Sequence, residues 1–245
     1  MKRVLLKISY DGTAYHGWQV QPNGITVQEE MQNGIEKMLG VRLNITGCSR
    51  TDAGVHAREF YCHIDVPESI PTQALVPGLN SLLPYDISVL EARDVADDFH
   101  ARYNAKGKRY IYCIDNGKVP DPFLRRYSLY VKAPLNIDKM NAFCKCIVGK
   151  HDFAAFSSIH RTVTDTVRTV RECFVEREGD KVILSVTADG FLYNMVRIIV
   201  GTALDASSGK IPEGCFEDVF GVDRNTAGST VAPQGLFLDK VFYEE

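Results

Sequence analysis

Thr26-Val-Gln-Glu-Glu-Met-Gln-Asn-Gly-Ile-Glu-Lys-Met-Leu-Gly40 reads as one complete helix with both ends marked. Thr26 followed three residues later by Glu29 has the form of a capping box, in which the hydroxyl and the carboxylate satisfy amides at the open end. Val27, Met31, Ile35, Met38 and Leu39 then recur at helical spacing, and Gly40 stops the run. Upstream, Val4 to Tyr10 reads as a strand leading into the turn signal Asp11-Gly12. Downstream, Val41, Leu43 and Ile45 alternate, which predicts a strand delivering the chain into Gly47-Cys-Ser-Arg-Thr-Asp-Ala-Gly-Val-His-Ala57. The opening is thus a strand–helix–strand unit that ends on a polar, glycine-punctuated loop.

The same grammar returns further on. Tyr127 to Val131 reads as a strand, and Asn136 can cap a helix whose apolar face is Ile137, Met140, Cys144, Ile147 and Val148. Val170 to Glu176 and Val182 to Ala188 predict a hairpin around Glu178-Gly-Asp180. A nearly all-apolar helix follows from Phe191 to Leu204, and Leu236 to Tyr243 reads as a last strand. Two similar halves, 1–103 and 104–245, predict an α+β fold. Each half is expected to be ferredoxin-like (RRM-like), with a largely antiparallel, continuous central sheet and an active-site cleft between the halves.

Composition excludes several classes. The 245 residues are 45% hydrophobic and 24% charged, ordinary for a globular chain and too apolar for a disordered one. No run of about 18 apolar residues occurs, so no membrane helix is expected; the basic start turns polar too soon for a signal peptide. The seven cysteines are scattered, with no Cys-x-x-Cys pair, which points to reduced thiols in a cytoplasmic protein. Charge is uneven: residues 1–103 carry 9 basic and 13 acidic groups, net −4, whereas 104–245 carry 19 and 18, net +1. Basic residues cluster at Arg102, Lys106, Lys108 and Arg109, at Arg125-Arg126, and at Arg161, Arg168 and Arg171. Such stripes can bind phosphates on a net-acidic protein, because screening limits each charge to a reach of about 8–10 Å; from charge alone, a solvated surface is the favoured reading.

Three features could carry chemistry. Asp52 sits on a tight loop leaving a strand, where catalytic groups held on rigid scaffolds are common; an aspartate before Ala53-Gly54 can also simply bond nearby amides. His56, four residues on, would make a metal pair with Asp52, but two ligands lack a third, so no metal is expected. Arg197 lies in an apolar helix. A guanidinium does not lose its proton, so burial there demands a carboxylate or phosphate partner, unless the side chain reaches the surface. With Asp52 as that partner, the carboxylate would be held ionised. Tyr110 and Tyr112 alternate with Arg109 and Ile111, and aromatics among Lys106, Lys108 and Arg109 suit stacking on a base beside its phosphates. No phosphate-binding glycine loop or hydrolase elbow is present, so no cofactor is expected.

These segments carry a resemblance. Gly47 to Ala57 resembles the signature of the TruA family of tRNA pseudouridine synthases, and the likeness runs over essentially the whole chain. Tyr10-Asp-Gly-Thr-Ala-Tyr-His-Gly-Trp-Gln19 is similar to the family's opening, and Phe99-His-Ala-Arg102 with Lys108-Arg-Tyr110 to its middle. Asp165-Thr-Val-Arg-Thr169, Asn194-Met-Val-Arg-Ile-Ile-Val-Gly201 and Ala232-Pro-Gln-Gly-Leu236 resemble its later motifs.

The resemblance implies Asp52 as catalytic nucleophile, Tyr110 as active-site tyrosine, Arg197 as the arginine paired with the aspartate, and Arg50 as a residue handling the target nucleotide. Lys108 and Arg109 would hold the RNA beside Tyr110. It further implies isomerisation of uridine at positions 38, 39 and 40 of the tRNA anticodon stem-loop. No cofactor or metal would be needed, and the enzyme would act as a homodimer. Two other readings compete: a non-catalytic RNA-binding protein, which needs the basic strand but not Asp52 with Arg197, and a glycosidase using Asp52. The latter wants a second carboxylate about 5–10 Å away, and Glu59 is the nearest in sequence.

Overall fold

The computed structural model describes residues 1–157, 164–220 and 223–244. Arg161 of the basic cluster lies outside the described residues. Among the described residues, ten strands and four α-helices follow one another as β1 (Lys2–Tyr10), α1 (Val27–Leu39), β2 (Thr46–Gly47), β3 (His56–Val66), α2 (Leu75–Asn80), β4 (Ile87–Val95), β5 (Gly107–Asp115), β6 (Leu129–Tyr130), α3 (Ile137–Ile147), β7 (Gly149–Asp152), β8 (Val167–Glu178), β9 (Lys181–Ala188), α4 (Met195–Ser208) and β10 (Leu236–Phe242). The fold is mixed α+β, dominated by sheet. The chain forms two compact units: residues 1–106 with 237–245, and residues 107–236.

In the first unit the strand order is β4-β1-β3-β10, and β2 also pairs with β3. β1 runs antiparallel to β3, from Lys2 opposite Val66 to Tyr10 opposite Ala57, and antiparallel to β4 on its other side. Val4, Leu6 and Ile8 alternate onto one face opposite Ile64, Cys62 and Phe60, and all six are fully buried. So are Val27, Met31 and Ile35 of α1 and Leu75 and Leu79 of α2. Each such side chain contributes about 1.5–3 kcal/mol of transfer free energy. The α1 boundaries follow the sequence: Thr26 Oγ1 accepts from the Glu29 amide at 3.3 Å, and the left-handed Gly40 ends the helix.

The second unit orders its strands β5-β9-β8-β7, antiparallel throughout, with β6 parallel to β5. Helix α3 packs on β8 and on α4. Asn141 fastens it by exchanging both bonds with the Val175 backbone, at 2.8 and 2.9 Å. Asn136 caps α3 through the Lys139 amide, as its position predicts.

Four expectations need correction. Val41 to Ile45 form no strand; only Thr46 and Gly47 find partners, opposite His63 and Cys62. The strand expected over Tyr127–Val131 shrinks to Leu129–Tyr130. The helix expected from Phe191 to Leu204 begins at Met195 and continues to Ser208. β3 with β10 and β5 with β6 run parallel, so the pairing is mixed rather than purely antiparallel. Among the described residues, no helix is long and apolar enough to cross a membrane.

Candidate active site

The loop carrying Asp52 is braced from within. Thr51, between the exposed Arg50 and the half-buried Asp52, turns inward, and its hydroxyl lies 2.8 Å from the Tyr10 phenol at the end of β1. Its carbonyl accepts from the Trp18 amide at 3.2 Å. Beyond Asp52 the chain closes a turn: the Val55 amide donates to the Asp52 carbonyl, and the Gly54 amide to the Tyr15 carbonyl, both at 3.2 Å. Gly17 adopts φ +84°, and a Cβ there would stand 2.4 Å from the Thr51 oxygen. The segment Gly12–Trp18 is therefore a mould against which the Arg50-Thr51-Asp52 backbone is cast. In the sequence this segment stands out only as part of the family resemblance.

His56 is a packing residue of this loop's exit. Its ring is buried, accepts the Gly12 amide on Nδ1 at 3.0 Å, and stacks on Phe237 at 4.6 Å. Among the described residues, no group of three or more His, Cys, Asp or Glu side chains could hold a metal ion. Glu59, the acid a glycosidase would need, lies on β3 and holds Lys7 Nζ at 2.7 Å. All seven cysteines are free thiols.

The second unit carries Lys108, Arg109, Tyr110 and Arg197. Side chains alternate along β5, so Lys108, Tyr110 and Tyr112 share one face while Arg109 leaves from the other. Tyr110 is 6% exposed and meets Phe191 edge-on, with ring centroids 5.0 Å apart. Two residues along, Tyr112 is fully buried. Desolvation raises its phenol pKa above the ordinary 10, and the positive charge of Arg197 opposes that rise.

Arg197 stands in the first turn of α4, half-buried. Its Nε donates to the Val231 carbonyl at 2.7 Å and its Nη1 to Asn194 Oδ1 at 2.8 Å. The helix reaches that position through a close backbone approach: a Cβ on Gly201 would lie 1.9 Å from the Ser229 oxygen. The side chain is half-buried rather than enclosed, and these two bonds are to neutral oxygens at its own helix and a neighbouring loop. Asp52 belongs to the first unit and Arg197 to the second.

A sequence profile described as tRNA pseudouridine synthase matches residues 7–104 and 143–244. A tRNA pseudouridine synthase A from Thermoanaerobacter sp. (strain X514) is 46% identical over 244 residues, 99% of this chain and 100% of that one. The chain belongs to the tRNA pseudouridine synthase family. Its relatives include tRNA pseudouridine synthase A 2 of Clostridium perfringens, 45% identical over 99% of this chain and all of that one. Another, tRNA pseudouridine synthase A of Halalkalibacterium halodurans, is 43% identical over 96% of this chain and 90% of that one. Membership makes the chain an isomerase acting on tRNA. Among solved structures, a Cbf5-Nop10-Gar1 complex is similar at a TM-score of 0.37 and 14% identity, over 82% of this chain and 45% of that one.

Proposed function

We propose that this chain converts uridine to pseudouridine at positions 38, 39 and 40 of the tRNA anticodon stem-loop, with Asp52 as the nucleophile. The observation that carries the reading is the brace around Asp52. Thr51 points inward to Tyr10, the Gly54 turn closes behind, and Gly12–Trp18 supports the backbone, so the carboxylate is presented on an immobilised loop. Fixed presentation of a reacting group is worth several kcal/mol of barrier.

In the reaction the N1–C1′ bond breaks, the uracil turns, and C5 bonds to C1′. C5 gives its proton to solvent and N1 gains one, so atoms balance without a redox partner. The target base must first leave the stack, at a cost of a few kcal/mol. Tyr110 stacks on the uracil, Arg197 pairs with the Asp52 carboxylate, Arg50 occupies the vacated space, and Lys108 and Arg109 hold phosphates. The proposal includes a cleft between the halves 1–103 and 104–245, each ferredoxin-like, with a continuous sheet; the connection β1-α1-β2-β3-α2-β4 with order β4-β1-β3-β2 supports this in the first half. It also includes a cytoplasmic homodimer.

The test is tritium release from unmodified tRNA transcript carrying C5-tritiated uridine. Wild type releases tritium, with modification mapping to the three positions, while Asp52→Asn binds the transcript and releases none. More than a few per cent of wild-type turnover in that variant removes Asp52 as nucleophile. Tight binding by wild type without release establishes a binding protein instead.

A further inference from the structure

Asn194 is, among the described residues, the one non-glycine residue with a positive φ, at +63°. It is also the N-cap of α4, the position where an asparagine ordinarily turns its carbonyl oxygen onto the amides of the first turn. Here the side chain makes no capping bond. Its Oδ1 accepts Nη1 of Arg197, the third residue of the helix, at 2.8 Å. A residue in a sparsely populated conformation that also forgoes its local bond is the kind of outlier from which function is inferred. Asparagine enters the left-handed region more readily than other side-chain-bearing residues, and its short arm ends in a neutral acceptor.

Two acceptors therefore hold the guanidinium from different parts of the second unit. Nε is held by the Val231 carbonyl at 2.7 Å, and Nη1 by Asn194. Because a guanidinium is planar, two bonds in its plane fix the orientation of the whole group. Val231 is itself tied back: its amide donates to the Arg197 carbonyl at 3.4 Å. The left-handed Asn194 directs its amide to its own helix's arginine; in the extended conformation usual at an N-cap, the side chain bonds the amides of the first turn instead.

We infer that Asn194 is a positioning residue, whose left-handed conformation serves to fix the Arg197 guanidinium for the chemistry at the uridine. The inference rests on Arg197 belonging to the catalytic site.

Three variants at this position separate conformation from bonding, measured by single-site tRNA modification kinetics and by thermal melting. Asn194→Gly adopts φ +63° freely but lacks the acceptor. It is expected to melt no lower than Asn194→Ala, and to lose about 10- to 100-fold in kcat with KM changed less than threefold. Asn194→Asp keeps an acceptor oxygen on an equally short arm and is expected to rescue most of that loss. A glycine variant with wild-type kcat, or an aspartate variant as slow as the glycine one, overturns the inference. Arg197→Met run alongside keeps the two readings apart. If it turns over like wild type, the assignment of Arg197 falls and takes Asn194 with it. If it is inactive while Asn194→Gly is not, only the positioning role falls.

Discussion

The Tyr112 phenol donates to the Ala232 carbonyl at 2.7 Å, joining the middle of β5 to a loop 120 positions away in sequence. That loop, through Val231, is the one that holds Arg197 Nε. Tyr112 thus anchors the residue next to the carbonyl on which a proposed catalytic cation rests.

Tyr112→Phe is expected to leave the Ala232 carbonyl unsatisfied in a part-buried site, a loss of about 1–3 kcal/mol. At this chain length each kcal/mol corresponds to roughly 2–4 °C in melting temperature. Calorimetry checks the stability. An unchanged melting point would show that the bond contributes nothing net.

Gly17→Ala should be costlier and more local. The left-handed backbone alone opposes alanine by about 1–3 kcal/mol, and the new methyl would press on the Thr51 carbonyl, 2.4 Å away. Lower melting together with a fall in kcat is expected, because the displaced backbone carries Asp52. A folded variant with full turnover would show that the loop is not held by this approach.

Arg197→Met should abolish turnover without gross unfolding. The side chain is half-buried rather than central to the core, and leaving the Val231 and Asn194 oxygens without this donor costs about 1–3 kcal/mol. Circular dichroism and the tritium assay together give the result. Retained turnover would remove the residue from the mechanism.

A pH effect is expected far from this chemistry, at His63. Its Nδ1 accepts the Ala101 amide at 3.1 Å, and burial, then the charge of Arg3 and the neighbouring His100, lower its pKa from 6.5 to about 4. Between those values the unfolded chain binds the proton and the folded protein does not. Stability therefore falls as pH drops from 6.5 towards 4, and this contribution levels off below. His63→Asn keeps an acceptor without the titration. Its urea midpoint should decline less than that of wild type between pH 7 and pH 4.5; parallel declines would clear His63 of the effect.

What could be read from the sequence was local. Thr26, Asn136 and Gly40 mark helix ends because caps act within four residues, and apolar periodicity supplied Val27, Met31 and Ile35 of α1 and Met140, Cys144 and Ile147 of α3, while missing buried Phe143 and including Val148, which is exposed past the helix end. The alternation at Val41, Leu43 and Ile45 misled because a strand also needs a partner, and only the next two residues meet β3. For α4, Phe191 and Leu192 extended an apolar run across a break that Asn194 makes by its backbone conformation, to which periodicity is blind. Asp52 and Arg197 were legible as candidates, one by its loop and one by its apolar surroundings. The mould of Gly12–Trp18 was not, because its contacts with the loop span more than thirty residues and depend on close backbone approach.

The pairing of β10 with β3 has a consequence for biosynthesis. Phe237 and Leu238 lie beside His56 and Ala57, Asp239 holds Arg58 at 3.1 Å, and the Tyr243 phenol reaches the Ala101 carbonyl at 2.7 Å. The strand that flanks the exit of the Asp52 loop is thus translated only after every residue of the second unit. During synthesis the stretch of β3 at His56 and Ala57 therefore stays without this partner until the second unit has been made. A chain truncated anywhere before residue 237 therefore leaves its earliest-made unit without this strand.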